Sequence, residues 1–286
     1  MSGVSSDAPW PARRGAILVV VLIFIAFVSS LLAVALHLSS SSARAAAAFA
    51  KAMRADELGQ AAVTLAADQA GSGDPADKRA GAFVAEFAEA KLFVDYVSES
   101  ARIDVNLAPP ELLSALFRAA GLDPNKASSI ADRITASRNN RVQGAATPTN
   151  KRIENLGALA DAWGLSPDFV DILRPALTVA NGTGKVDPTI ANRLVIAALM
   201  GGEGERVDEF LERRRRGFTT DAEARAAFPP NVQPFIDFAP ARAIRAVARI
   251  VLPGRFERHY EFIVAPRTRP DESVKTISWH LSPDQE

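Results

Sequence analysis

The chain predicts an α+β fold: a long N-terminal helix, then a small antiparallel sheet interrupted by a large all-helical insertion. Three observations predict it. A 21-residue run, Ala16 to Leu36, carries no charge, glycine or proline. Two blocks of alternating apolar and polar residues, at 91–106 and 243–281, lie on either side of the chain's middle. Between them, short apolar-periodic segments alternate with glycine-containing turns.

The apolar run has the length of a bilayer-crossing helix, since about 20 residues at ~1.5 Å each span ~30 Å of hydrocarbon. Arg13 and Arg14 stand just before it, and Arg44 is the first basic residue after it. That bias holds the N-terminus in the cytoplasm and sends the following residues across the membrane. An ordinary secretory signal has a shorter apolar region with its cleavage site after it. Here the small residue set against the charges, Gly15, precedes the run. Ala43 to Ala70 continues as helix, being alanine-rich and free of proline, with Gly59 its one weak point. Phe49, Met53, Leu58, Ala62 and Leu65 roughly follow one stripe. Gly71-Ser72-Gly73-Asp74-Pro75 ends the helix.

Phe83 to Glu89 reads as a short helical continuation. Lys91 to Asn106 alternates: Phe93, Asp95 and Val97, then Ile103 and Val105 against Arg102, Asp104 and Asn106. Two strands joined by a turn at Ser98-Glu99-Ser100 are predicted. Pro109-Pro110 then opens a helix with Leu112, Leu113, Leu116 and Phe117 on one face. Gly121 to Pro124 is a turn, and Lys126 to Ser137 a second helix. The unit recurs as Ile153 to Trp163, a turn at Gly164 to Pro167, and Asp168 to Leu173. It recurs again as Val186 to Leu199, a turn at Gly201 to Gly204, and Val207 to Arg215. Ala243 to Val251, Tyr260 to Val264 and Val274 to Leu281 alternate as three strands, separated by Pro253-Gly254 and Pro266 to Pro270. Neither strand block can stand alone, so the two pair into one sheet and the helical block becomes an insertion. The chain divides into a leader, 1–15; a transmembrane helix, 16–36; its continuation, 37–70; the first part of the head, 71–106; the helical insertion, 107–240; and closing strands, 241–286.

Arg13-Arg14-Gly15 followed by Ala16-Ile17-Leu18-Val19-Val20-Val21-Leu22-Ile23-Phe24 resembles the start of the type IV pilin class. The resemblance implies that a prepilin peptidase cuts between Gly15 and Ala16 and that the new N-terminus is methylated. It also implies that the apolar helix serves first as an anchor and later as the packing helix of a filament. Two positions depart from the class: Ala16 stands where Phe is usual, and Val20 where Glu is usual. That Glu is thought to neutralise the N-terminal ammonium of the neighbouring subunit, because an uncompensated charge among apolar helices is costly. Within type II secretion, the minor pseudopilins of the general secretion pathway protein K family lack the Glu and are placed at the tip. Their motifs are similar, in order, to Ala101 to Asn106 running into Ala108-Pro109-Pro110-Glu111-Leu112-Leu113, to Leu156 to Val179, and to Val186-Asp187-Pro188-Thr189-Ile190-Ala191. The resemblance covers Arg13 to His280. It implies a pilin-like head in the periplasm on a single-pass anchor in a Gram-negative inner membrane. The implied partners are other minor pseudopilins, the major pseudopilin, prepilin peptidase and the inner-membrane assembly platform, with secretin or exported cargo as further contacts.

Composition narrows the chemistry. Thirty-three basic and 33 acidic residues cancel, so no whole-protein field draws nucleic acid. Without cysteine there is no disulfide and no Cys-ligated metal. His37, His259 and His280 are the only histidines, and no Walker loop, His-Glu-x-x-His or nucleophile motif occurs, so the reading is non-enzymatic. Some members of the resembled family are expected to carry calcium. Asp68, Asp74 and Asp77 lie near one glycine-rich turn without EF-hand spacing, so no metal ligand and no cofactor is assigned. The rival reading is a membrane-anchored helix-hairpin-helix protein for DNA binding or uptake. Gly121-Leu122-Asp123-Pro124-Asn125-Lys126-Ala127 somewhat resembles such a hairpin, but it lacks the second glycine and places Asp123 where a phosphate would sit. Arg213 to Arg216 is a basic run that Glu209–Arg213 and Glu212–Arg216 pairs, at helical i,i+4 spacing, are expected to neutralise. Phe83, Phe87, Phe93, Phe117, Trp163, Phe169, Phe210, Phe218, Phe228 and Phe262 are spaced as core positions.

Overall fold

The computed structural model describes residues 12–72, 78–139, 152–266 and 273–282. Helix α1, Ala12–Ser72, is 61 residues long. Two compact units divide the chain, Met1–Asp56 and Glu57–Glu286. In the first, the described residues are all helix. Ser40 and Ser41 donate from their hydroxyls to the carbonyls of His37 and Leu38, so the serine run after the apolar stretch turns its polar groups onto the helix rather than breaking it.

The second unit opens with the end of α1, whose Leu58, Ala62, Val63, Ala66, Ala67 and Ala70 are buried. Seven strands follow among the described residues: β1 (Ala80–Phe87), β2 (Ala90–Ser98), β3 (Ile103–Asp104), β4 (Leu177–Thr178), β5 (Ile244–Leu252), β6 (Phe256–Ala265) and β7 (Lys275–Ser282). Five of them form one antiparallel sheet in the order β1-β2-β5-β6-β7. Strict alternation in β2 and β5 buries Leu92, Val94, Tyr96, Ala246, Ala248 and Ile250 on one face. Tyr260 and Phe262 of β6 stack against Trp279 of β7. The helix backbone rests on these rings: a Cβ at Gly59 would lie 2.6 Å from the Trp279 ring and 3.3 Å from that of Tyr260.

The helical block sits between β2 and β5 and has a core of its own. Helices α2 (Pro110–Ala119) and α3 (Pro124–Asn139) supply Leu112, Leu113, Leu116, Phe117, Ile130 and Ile134. Helices α4 (Ala158–Trp163), α5 (Pro167–Leu173), α6 (Arg193–Leu199), α7 (Gly204–Arg216) and α8 (Asp221–Ala226) add Leu159, Leu173, Val195, Phe210 and Ala224. The turn glycines Gly121, Gly164 and Gly201 all have positive φ, which is why glycine stands there.

Four expectations are corrected. Phe83 to Glu89 is not helical; it lies in β1 and the hairpin turn after it. Its alternating exposure and eight-pair register with β2 outweigh the helix propensity of its alanines. The segments either side of Ser98-Glu99-Ser100 do not form a hairpin. Glu99–Ala101 is a 3-10 turn, and it redirects β3 to pair in parallel with β4. The helix expected from Ile153 starts only at Ala158, because Ile153 exchanges both backbone hydrogen bonds with the Asn106 amide. Val186 to Asn192 is not helical either. Val186 bridges Ile236, and Asn192 caps α6 by accepting from the Val195 N–H. Among the aromatic residues, Phe117, Phe210, Phe228 and Phe262 are fully buried, whereas Phe87 is exposed and Phe83 and Phe93 are half-buried.

Candidate functional site: the apolar helix and the polar neck

In the first unit, every described large apolar side chain from Ile17 to Leu38 is exposed, and so are Phe49 and Met53 beyond it. This is the one helix among the described residues long and apolar enough to cross a membrane. Val20 lies on that surface, 65% exposed, where a Glu would meet only apolar neighbours along the helix. Arg13, Arg14, Gly15 and Ala16 lie in the backbone of α1, and their side-chain surroundings fall outside the described residues. Residues 1–11 of the leader, and Asp74 and Asp77, also fall outside them.

In the second unit, buried polar groups gather where the helical block leaves and rejoins the sheet. Ser98, Glu99, Ser100, Asp104, Asn106, Thr178, Asn181 and Asp187 are all buried. Glu99 accepts at one oxygen from Arg102 (3.1 Å) and from Arg245 of β5 (2.9 Å). Arg245 also donates to Glu261 of β6 at 2.6 Å, and Glu261 lies 3.4 Å from His280 of β7. Burial pushes the Glu261 carboxyl up, but the Arg245 charge and hydrogen bond outweigh it and hold it below the usual carboxylate range. Asp104 accepts from the backbone N–H groups of Asn106 and Gly182, binding the exit strand to the return loop. Asn181 donates to the carbonyls of Arg102 and Lys185 across the same junction. Asp187 accepts from the Thr189 N–H and hydroxyl and lies 3.5 Å from Arg79, which also forks onto Asp221. Burial raises Asp104 and Asp187 above the ordinary carboxylate value, and the hydrogen bonds only partly oppose it.

The neck is therefore a set of carboxylates and amides held by backbone groups and guanidinium ions, with Glu99 Oε2 and Asp187 Oδ2 buried without a hydrogen bond among the described residues, an arrangement that fixes one segment against another. Sequence reading missed it. The available signal was Asp104 and Asn106 alternating with Ile103 and Val105 immediately before Pro109-Pro110. Among the described residues no group of three or more His, Asp or Glu is placed to hold a metal ion.

Half of the basic run is neutralised, and not by the expected partners. Arg213 pairs with Glu223 of α8 at 2.8 Å, and Arg214 caps the carbonyls of Pro188 and Ala191. Arg215 pairs with Glu212, and Arg216 reaches only the Glu212 carbonyl. At the hairpin, Asp123 accepts from the N–H groups of Asn125 and Lys126, so its own carboxylate occupies the start of α3. An open cleft of about 440 Å³ between α2 and α6 is floored by Leu112, Met200 and Phe235.

Taken together, a long apolar helix that continues onto an antiparallel sheet, with a helical block inserted between two sheet strands, is the pilin-like α+β architecture. No family model matches the sequence, and no curated protein matches it. The fold is similar to that of a chain in the crystal structure of the GspK-GspI-GspJ complex from the enterotoxigenic Escherichia coli Type 2 Secretion System. The TM-score is 0.50 at 11% identity, covering 84% of this chain and 99% of that one. At that identity the likeness is one of fold.

Proposed function

We propose that this protein is a minor pseudopilin of a type II secretion system, of the K type, acting in assembly rather than catalysis. One observation carries the reading: a charge-free helix of membrane-spanning length runs into a sheet that is split by a helical block, an architecture similar to that of a chain in a complex of GspK, GspI and GspJ. In this proposal prepilin peptidase cuts after Gly15, behind Arg13 and Arg14, and the Ala16 to Leu36 helix anchors the head on the periplasmic side of the inner membrane. The helix then leaves the lipid to pack with the other minor pseudopilins and the major pseudopilin, through the assembly platform. Val20 in place of Glu suits a subunit with no neighbour ammonium to neutralise, which supports a place at the tip, where growth is initiated. The helical block would crown that tip, toward secretin or cargo.

The test is processing in the native host. Gly15→Ala leaves the precursor uncut on a gel, and N-terminal sequencing of the unmodified mature protein begins at Ala16. Mature material beginning at Met1, or downstream of Ser39, overturns the proposal.

A further inference from the structure

We propose that the helical block is a lobe that pivots on the sheet, and that Arg79 is the latch holding it in its described orientation. This concerns movement within the head and goes beyond the assembly reading. The core of the block runs from Ile103 to Phe238 and takes in no residue of the five-stranded sheet among the described residues. The chain passes between sheet and block at 99–102, after β2, and again at 239–243, before β5. At these crossings Ser98, Glu99 and Ser100 are buried and polar, and Asp187 of the block joins them by donating its N–H to the Ser100 carbonyl. Two cores that meet through a polar layer are free to move relative to each other, whereas a large apolar contact would suppress the motion. Hinges are a few residues at the ends of elements. The 3-10 turn Glu99–Ala101 and the segment 239–243, which is neither helix nor strand, have that character.

Arg79 spans this junction. Its backbone belongs to the sheet side, where its carbonyl accepts from the N–H of Ser98, the last residue of β2, at 2.6 Å. Its side chain reaches the block. Nε lies 3.5 Å from Asp187, the two Nη atoms donate to Asp221 at the start of α8 (3.3 and 3.1 Å), and the guanidinium stands 5.7 Å from the Phe238 ring centroid. The block holds these partners by itself: Asp187 is tied to Thr189, and Phe238 also lies under Arg225, which donates to the carbonyls of Gln233 and Ile236. The bonds from Glu99 N–H to the Ala243 carbonyl and from Asp187 N–H to the Ser100 carbonyl lie on the crossings, where rotation displaces atoms least. The latch is also weakly closed. A separation of 3.5 Å is long for a charge-assisted bond, and neither Arg79 Nε nor Asp187 Oδ2 has a hydrogen bond among the described residues. A buried pair made so loosely does not recover the hydration it gave up, and opening restores it. The Asp221 side chain is 53% exposed, so that contact is already weakened by solvent.

The experiment uses the full-length chain in detergent. It has no cysteine, so nitroxide labels attach only at introduced sites. One pair, Val84→Cys with Glu205→Cys, spans sheet and block; the other, Ile172→Cys with Glu205→Cys, lies within the block, and all three positions are exposed. Pulsed electron spin resonance reads the distance between labels. With Arg79 intact, each pair is expected to give one narrow distribution. Arg79→Gln splits the spanning distribution or widens it at least about twofold, and leaves the within-block distance unchanged. Asp221→Asn, which keeps Asp187 beside Arg79, acts in the same direction to a smaller extent. A spanning distance unchanged in both variants, or already broad with Arg79 intact, overturns the proposal. Where Arg79→Gln disturbs the within-block pair as well, Asp221→Asn decides: a change in the spanning distance alone supports the pivot, and a change in both pairs or in neither overturns it.

Discussion

Arg245→Met isolates the neck. The Arg245 side chain is 12% exposed and bridges Glu99, which is fully buried, to Glu261. Methionine keeps the apolar stem and deletes the charge, so the loss is electrostatic. Breaking a buried pair by removing one partner costs about 3–5 kcal/mol, because the remaining charge is uncompensated. Glu99 retains Arg102 at 3.1 Å, so the lower end, about 3 kcal/mol, is expected. For a compact unit of this size that corresponds to a fall of roughly 6–12 °C in Tm. The assay is denaturant and thermal unfolding of the full-length chain in detergent. Arg249→Met is the control. Arg249 lies 3.8 Å from Glu257 at 43% exposure, and losing so exposed a pair costs less than about 1 kcal/mol. The pH dependence adds a second check. Glu261 is depressed in the folded state, so its contribution is present above its unfolded pKa and is lost as pH falls through the lower folded value. The gap between wild type and Arg245→Met therefore narrows on acidification. A Met variant as stable as the Arg249 control, or a gap that widens in acid, refutes the reasoning.

Gly59→Ala places a methyl against Trp279. Overpacking of about 1–3 kcal/mol exceeds the ~1 kcal/mol gained by removing a helix glycine, so net destabilisation and a shifted tryptophan emission are expected, and a more stable variant counts against the packing described. Asp104 and Asp187 have folded pKa values raised above 3.8, so the unfolded chain releases their protons first, and their effect is to reduce stability as pH rises through that window and then to level off. Asp187→Asn should flatten that limb of a midpoint-versus-pH curve; an unchanged slope would show that Asp187 does not titrate there. Val20→Glu should change which subunits co-purify with the chain from detergent, and an identical partner set would remove the significance given to that position. The full-length chain should show no specific DNA binding in a salt titration, because Arg213 and Arg215 pair with carboxylates and Arg214 caps two carbonyls; binding that weakens steeply with salt would revive the rival reading.

The sequence made most of the sheet legible: β2 and β5 carry the two-residue alternation of a half-buried strand, and in β7 Ile277, Trp279 and Leu281 alternate with polar residues, although its burial does not follow that alternation. The ends of the helical units were legible where a turn demanded positive φ, as at Gly121 and Gly164. What was hidden depended on contacts distant in the chain. Ala80–Phe87 is alanine-rich, and only its register with β2 makes it a strand. Ile103–Asp104 looked like half of a hairpin, although its partner lies at Leu177–Thr178. The ion pairs of α7 follow the position of α8 rather than helical spacing, since Arg213 finds Glu223 before Glu209. Of the candidate site, the apolar helix was plain from composition alone. The neck was not, because a buried Glu99 or Asp187 looks the same in sequence as a solvated one.

Ser98 and Ile244, the last residue before the helical block and the first strand residue after it, are directly opposite each other in the ladder. The block thus departs from and returns to a single rung, where a tight turn would serve the sheet equally well. Ring closure across such a gap grows harder only slowly, by about 0.6 kcal/mol for each doubling of the loop. What hangs from that rung can therefore change in length while the strands on either side stay in step.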